Sequence, residues 1–205
     1  MNVIKWDKAI YIVLGIAAIT SVGNWFISDQ IFSFKFVLNC ISASVTTITL
    51  ASYFFCNKAW KWKIFRKWLV VIPDLNGIWE GTLISDWINP ETGKRLEPIK
   101  ATLTIKQSLF RTSCILTTGE SSSRSIESGL IVDPDSQLCR LVYTYQNDPD
   151  QTIQERSRIH YGTAMLTVQG TGTVTSLNGS YFTGRHTSGQ MNFEKLKFKI
   201  NDGVA

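Results

Sequence analysis

Two long stretches without a charged side chain limit what the N-terminal part of this chain can become. Residues 9–28 and 36–57 are uncharged runs of 20 and 22 residues, bounded by Lys8 and Asp29 and by Lys35 and Lys58. At a rise of about 1.5 Å per residue, roughly 20 apolar residues cross a hydrocarbon layer about 30 Å thick. Backbone in lipid has no water to bond to, so each run is predicted to be a helix that satisfies its own N–H and C=O groups. Only Gln30 to Lys35 connect the runs, which makes them an antiparallel hairpin over residues 1–57. A cleaved signal peptide is the rival reading of the first run. The length of that run, the lack of an A-x-A-like site after it and the second run close behind weigh against it.

Charge supplies an orientation. The chain has 205 residues, with Lys+Arg 21 against Asp+Glu 16 and a net charge of +5. Residues 58–72 hold Lys58, Lys61, Lys63, Arg66 and Lys67 and no acid, while residues 73–205 carry 13 basic and 14 acidic groups. A nearly neutral C-terminal part excludes the basic face that a DNA or RNA polymer requires. With aromatic residues at 12%, a disordered chain is excluded as well. Two basic residues precede the first run, one lies between the runs and five follow the second, which predicts both termini in the cytoplasm. Trp6, Trp25, Trp60, Trp62 and Trp68 fall near the membrane surfaces so defined, where a ring with one polar edge is stable. Lys58 to Ile72 alternates basic and large apolar residues in the manner of an interfacial helix, acting as an orientation anchor or as a sensor of anionic lipid.

The second run is polar for a helix facing lipid alone, with Asn39, Ser42, Ser44, Thr46, Thr47, Thr49 and Ser52. Hydroxyls can bond back to the backbone one turn earlier, which leaves a tolerated single helix. The same residues, with the narrow stripe Gly15, Ala18 and Val22 on the first run, also suit close helix–helix contact. The four cysteines, Cys40, Cys56, Cys114 and Cys139, show no zinc-ligand spacing and no disulfide framework, and read as packing residues.

From Pro73 the hydrophobic period changes from 3.6 to 2. Eight strands are predicted: 77–86, 98–107, 111–118, 124–133, 137–146, 157–169, 174–184 and 191–200. Ala101, Leu103 and Ile105 share one face, and Leu196, Phe198 and Ile200 oppose Lys195, Lys197 and Lys199. Turn chemistry separates the runs at Asn89-Pro90-Glu-Thr-Gly93, Asp133-Pro134-Asp135, Asn147-Asp-Pro149-Asp and Asn178-Gly179. The fold class is therefore a two-helix transmembrane hairpin, a basic aromatic segment over 58–72, and an all-β domain over 73–205. Eight short antiparallel strands suit a small closed up-and-down barrel, with a two-sheet sandwich as the alternative. Gly77-Ile-Trp79 resembles the opening of lipocalins, where the Trp closes one barrel end; it is otherwise a buried Trp at a strand start.

No catalytic constellation is visible. His160 and His186 are the only histidines, and there is no metal-binding, nucleophile-elbow or P-loop pattern. No enzyme, metal or cofactor is expected. Binding fits better. Tyr143 and Tyr145 share a strand face, as do Tyr181, Thr183 and Arg185, with Thr187 two positions on. Ser121, Ser122, Ser123 and Ser125 surround Arg124. Arg neutralises phosphate, hydroxyls hold its remaining oxygens and rings stack on bases, so these residues suit a small anionic ligand with planar parts. Equally, the tyrosines could pack and Arg185 be solvated.

Several segments carry a family resemblance: Leu141-Val-Tyr143-Thr-Tyr145-Gln-Asn147-Asp-Pro149, His160-Tyr-Gly162-Thr-Ala-Met-Leu166 and Gly179-Ser-Tyr181-Phe-Thr183-Gly-Arg185-His-Thr187-Ser-Gly189. With the hairpin and basic stretch, the whole chain resembles the two-transmembrane β-barrel effectors of bacterial cyclic-oligonucleotide anti-phage signalling (CBASS). The resemblance implies a multi-pass protein of the bacterial inner membrane. Its cytoplasmic barrel binds a cyclic dinucleotide made by a partner CD-NTase enzyme. Ligand-promoted homo-oligomerisation then brings the helices together among the inner-membrane lipids, compromises the membrane and stops the infected cell. Candidate ligand-binding residues are Trp79, Ser123, Tyr143, Tyr145, His160, Tyr181, Thr183, Arg185 and Thr187. The alternative function is a membrane-tethered lipocalin-like carrier of an apolar small molecule.

Overall fold

The computed structural model describes residues 3–27, 33–90, 92–133, 136, 138–151, 158–170 and 174–196. Its elements are helices α1 (Trp6–Ile27) and α2 (Phe34–Asn57), followed by eight strands. These are β1 (Gly77–Ser85), β2 (Ile99–Gln107), β3 (Thr112–Thr118), β4 (Ser121–Val132), β5 (Cys139–Pro149), β6 (His160–Gln169), β7 (Ser176–Thr183) and β8 (Ser188–Lys195). The chain divides into two compact units, one of residues 73–107 and 111–205, the other of residues 2–72 with 108–110.

In the helical unit, α1 and α2 have 22 and 24 residues, or about 33 and 36 Å at 1.5 Å each. Both are long and apolar enough to cross a membrane. Ser33 caps α2 by accepting from Phe36 N–H at 3.2 Å. Phe36, Cys40 and Ser44, four residues apart, form the buried face of α2. Trp25 meets Phe36 edge-to-face at 5.8 Å, and the Thr20 and Ser44 hydroxyls share a hydrogen bond at 2.7 Å. Thr46 and Thr49 instead return their hydroxyls to Ser42 and Val45 carbonyls. Asn39, Ser42, Thr46, Thr49 and Tyr53 therefore make an exposed polar stripe away from the Phe36–Ser44 face. Gly15, Ala18 and Val22 are exposed too, so the α1–α2 contact does not consume them.

The segment after α2 departs from expectation. It is not a continuous interfacial helix but two 3-10 turns, Ala59–Lys61 and Lys63–Phe65, ending at the extended residues Trp62 and Arg66. Trp60 leaves the surface altogether at 1% exposure. Its apolar residues are spread around the segment, leaving no single face that a regular helix could bury. In the same unit Leu109 is buried and donates its N–H to Cys56 O at 3.1 Å, which satisfies one of the carbonyls left open at the end of α2.

The eight strands form a closed antiparallel barrel in chain order, β1 joining β8 from Trp79↔Lys195 to Ser85↔Gly189. Leu103, Leu141, Leu166 and Leu177 point inward and are fully buried. Residues 73–76 plug one end: Gln107 and Asn76 exchange hydrogen bonds, Leu75 N–H donates to Gln107 Oε1, and Trp79 Nε1–H donates to Leu75 O at 3.0 Å. The closed barrel decides against the sandwich. Two turn assignments fail: Asn147-Asp-Pro149 lies inside β5 and Asn178-Gly179 inside β7. At Gly179 the neighbouring Met165 carbonyl comes so close that a Cβ would sit 1.9 Å from it, so this glycine serves strand packing. The last strand also starts earlier than expected, at Ser188; Pro134, Asp135 and residues 197–200 lie outside the described residues.

Candidate ligand-binding site

The end opposite the plug is built where β5 and β7 finish and β4, β6 and β8 begin. Alternation puts Tyr143, Tyr145 and Asn147 of β5 on the inner face. Cross-strand pairing sets Ser123 beside Asn147, Asn147 beside His160, Tyr145 beside Gly162 and Gly162 beside Thr183. The Ser123 hydroxyl donates to Asn147 Oδ1 at 2.7 Å, and both side chains are buried. Across the barrel, Thr183 and Thr187 share a hydroxyl–hydroxyl bond at 2.7 Å, while Arg185 N–H donates to Thr183 Oγ1 at 3.2 Å. Thr183 N–H also donates to Thr187 O, closing the β7–β8 turn, and His186 takes a left-handed φ of 59° within it. That turn carries Arg185 at the rim, exposed.

Glycines make room for the rings. A Cβ on Gly162 would lie 2.5 Å from the Tyr145 ring, and one on Gly189 would lie 2.7 Å from the Tyr181 ring. Both tyrosines therefore lie against bare backbone of the neighbouring strand. Burial pushes the Tyr145 hydroxyl up to about 12, reinforced by Tyr181 and opposed by the Arg185 charge. Burial also holds the His160 imidazole below its usual range; its hydrogen bond to Arg158 O counters this and Arg185 adds to it. Arg185 thus acts electrostatically on both Tyr145 and His160, and the imidazole is neutral near pH 7.

The nine predicted residues divide by depth. Ser123, Tyr145, His160, Tyr181, Thr183, Arg185 and Thr187 gather at the unplugged end. Tyr143 lies one inward position deeper, 2% exposed, with its hydroxyl 3.9 Å from Met191 Sδ and its ring 5.8 Å from that of Tyr145. Trp79 is fully buried beside the plug, with Lys195 Nζ 5.2 Å from its ring centroid. It belongs to the closed half of the barrel. Arg124 faces outward and is exposed, so the serines around it do not enclose it. Sequence reasoning missed Asn147, hidden in what looked like a turn, and the two glycines opposite the tyrosines. A groove of about 520 Å³ on the outer wall is lined by Glu80, Asn178, Asn192, Glu194, Lys195 and others, none of them predicted; its two carboxylates outnumber its one cation and disfavour an anionic ligand.

Comparison with known proteins adds what geometry alone does not. Residues 70–195 match the family described as Cap15, cyclic dinucleotide receptor domain. This chain belongs to the Cap15 family. The matched span takes in all eight strands of the barrel. A curated relative, CD-NTase-associated protein 15 of Staphylococcus schleiferi, is 30% identical over 160 residues, covering 78% of this chain and 81% of the relative. Cap15 proteins are CBASS effectors with a receptor domain, so the resemblance drawn from the strand motifs holds at the level of family and fold.

Proposed function

We propose that the unplugged end of the barrel binds a cyclic dinucleotide made by a partner CD-NTase, and that binding drives association of the chain in the inner membrane. The observation that carries this reading is the convergence of Arg185, two tyrosine rings and a set of hydroxyls at one barrel end of a Cap15 chain. Arg185 meets a phosphate, Thr183, Thr187 and Ser123 serve its other oxygens or the base edges, and Tyr145 and Tyr181 offer faces for the bases. A carrier of an apolar molecule would need an aliphatic lining at the same place. Asn147, Ser123 and His160 argue against it.

Assembly follows if the ligand binds the associated form better than the free one. The exposed stripe Asn39, Ser42, Thr46, Thr49 and Tyr53 is the surface through which α2 meets its copy, and Gly15, Ala18 and Val22 permit close approach along α1. Both termini face the cytoplasm, where the five cations of residues 58–67 are retained. The charges of α1 and α2, Asp7, Lys8 and Lys35, lie in their first turns and the runs 9–28 and 36–57 carry none to line a selective pore, so the outcome is bilayer disruption or an unselective leak that ends growth of the infected cell.

Calorimetric titration of the full chain in detergent with a panel of cyclic dinucleotides tests the reading. Arg185→Ala is expected to weaken binding by about 1.5–3 kcal/mol, the value of a hydrogen bond to a charged group. No heat with any member of the panel would sink the proposal; unchanged affinity in the variant would remove Arg185 from the site.

A further inference from the structure

Backbone pairing ties the two outer ends of the hairpin together and gathers their cations. Ahead of α1, Lys5 N–H donates to Leu69 O at 2.9 Å, Val71 N–H donates to Val3 O at 3.1 Å, and Ile4 bridges Val70. Lys67, at a left-handed φ of 69°, turns the chain into this pairing. Val3, Ile4, Leu69 and Val70 are buried by it, whereas Lys5, Lys8, Lys58, Lys63, Arg66 and Lys67 stay exposed. With the half-buried Lys61, the two segments joined by this pairing carry seven basic side chains, against the single carboxylate of Asp7. At this end a groove of about 320 Å³ is lined by Asp7, Lys8, Tyr11, Ile12 and Trp68, Lys8 being the one of the seven cations that lines it. It passes from a cation through aromatic rings to an aliphatic side chain along the first turns of α1. A phospholipid has the same order of chemistry, from phosphate through glycerol to acyl chain.

We propose that this groove holds an anionic phospholipid, with Lys8 at its phosphate, Tyr11 and Trp68 at its glycerol and Ile12 along its acyl chain. The inference rests on the membrane-spanning part of the proposed function and is independent of dinucleotide binding. Charge complementarity selects the occupant: the two paired segments that supply Lys8 and Trp68 carry six more positive than negative groups. Asp7 is the one group of the wrong sign. It lies in the first turn of α1, where unpaired N–H groups favour a carboxylate whatever the groove contains. A zwitterionic lipid would use Asp7 for its ammonium group, and this separates the two occupants experimentally.

The full chain in detergent is offered phosphatidylglycerol, phosphatidylcholine or phosphatidylethanolamine, and native mass spectrometry measures the lipid retained. Phosphatidylglycerol should be retained preferentially. Lys8→Gln should lower its retention about fivefold, the effect of one basic charge near an anionic surface, while Lys8→Arg keeps it and Asp7→Asn raises it. Equal retention of the three lipids, no effect of Lys8→Gln, or weaker retention in Asp7→Asn would each overturn the proposal. Should Lys8→Gln fail to fold, the Lys8→Arg and Asp7→Asn results still decide. Dinucleotide titration of the same variants keeps the two proposals apart, because a failed lipid site leaves the nucleotide heat unchanged.

Discussion

Gly162 sits opposite Tyr145 with no side chain of its own, and a Cβ there would lie 2.5 Å from the ring and 2.8 Å from the Phe182 carbonyl oxygen. The carbonyl belongs to the strand ladder and cannot yield cheaply. Gly162→Ala is therefore expected to cost about 1–3 kcal/mol in urea unfolding, as overpacking does, and to weaken nucleotide binding by moving Tyr145. His160 makes a prediction of opposite sign for stability and for affinity. Its pKa is held below 6.5 in the folded chain, so the unfolded chain binds the proton first. Stability from this group is complete above pH 6.5 and falls as the pH drops towards the folded-state pKa. A phosphate beside Arg185 would favour the imidazolium, so binding should take up a proton and tighten from about pH 7.5 to 6. Calorimetry in two buffers of different ionisation heat measures that uptake, and His160→Gln should abolish it. The placement of Tyr145 and Tyr181 was legible in the sequence because each lies at an inward position of a regularly alternating strand; Arg185 continues the spacing of Tyr181 and Thr183 but lies past the end of β7, in the turn. Asn147 was not legible, because Asn-Asp-Pro has the chemistry of a turn and only its pairing with Ser123 and His160 keeps it extended.

Among the elements, β2 and β5 were the easiest to read, since Ala101, Leu103 and Ile105, and Leu141, Tyr143 and Tyr145, keep strict alternation. β4 hid its first three residues, Ser121 to Ser123. Its register shifts between Ser125 and Glu127, so the exposed Ile126 is an extra residue and the inward set changes from Ser121, Ser123 and Ser125 to Ser128 and Leu130. A bulge breaks the period on which sequence reading depends, and here the inward face before it is polar as well. Residues 58–72 defeated the reading for another reason: alternating Trp and Lys fits a helix, a turn or an extended chain equally. On α2 the polar residues were apparent but their division was not. Ser44 bonds to Thr20 within the hairpin, while Ser42, Thr46 and Thr49 face outward. Replacing those three with Leu should leave the span inserted yet abolish dinucleotide-driven cross-linking of copies in membranes. Persistent cross-linking in that triple variant would remove the stripe from the contact.

For the whole molecule, a hairpin that spans the membrane as proposed would confine every barrel to one surface, which raises the effective concentration of copies without any new contact. The fragment 73–205 with saturating cyclic dinucleotide should therefore stay dispersed at concentrations where the full chain in vesicles assembles and releases trapped dye. The difference in threshold is expected to be about 10²–10⁴-fold; equal thresholds would show that the tether contributes nothing. Closure of β1 onto β8 has a further consequence. A sheet that ends where it began offers no row of unpaired amides on which a neighbour's strand could grow. In the proposed assembly, a junction between receptor domains would then be made by side chains and loops instead of a shared sheet, and could part again when the ligand leaves. A cluster of that kind would act as a reversible alarm, not as a seed for fibres.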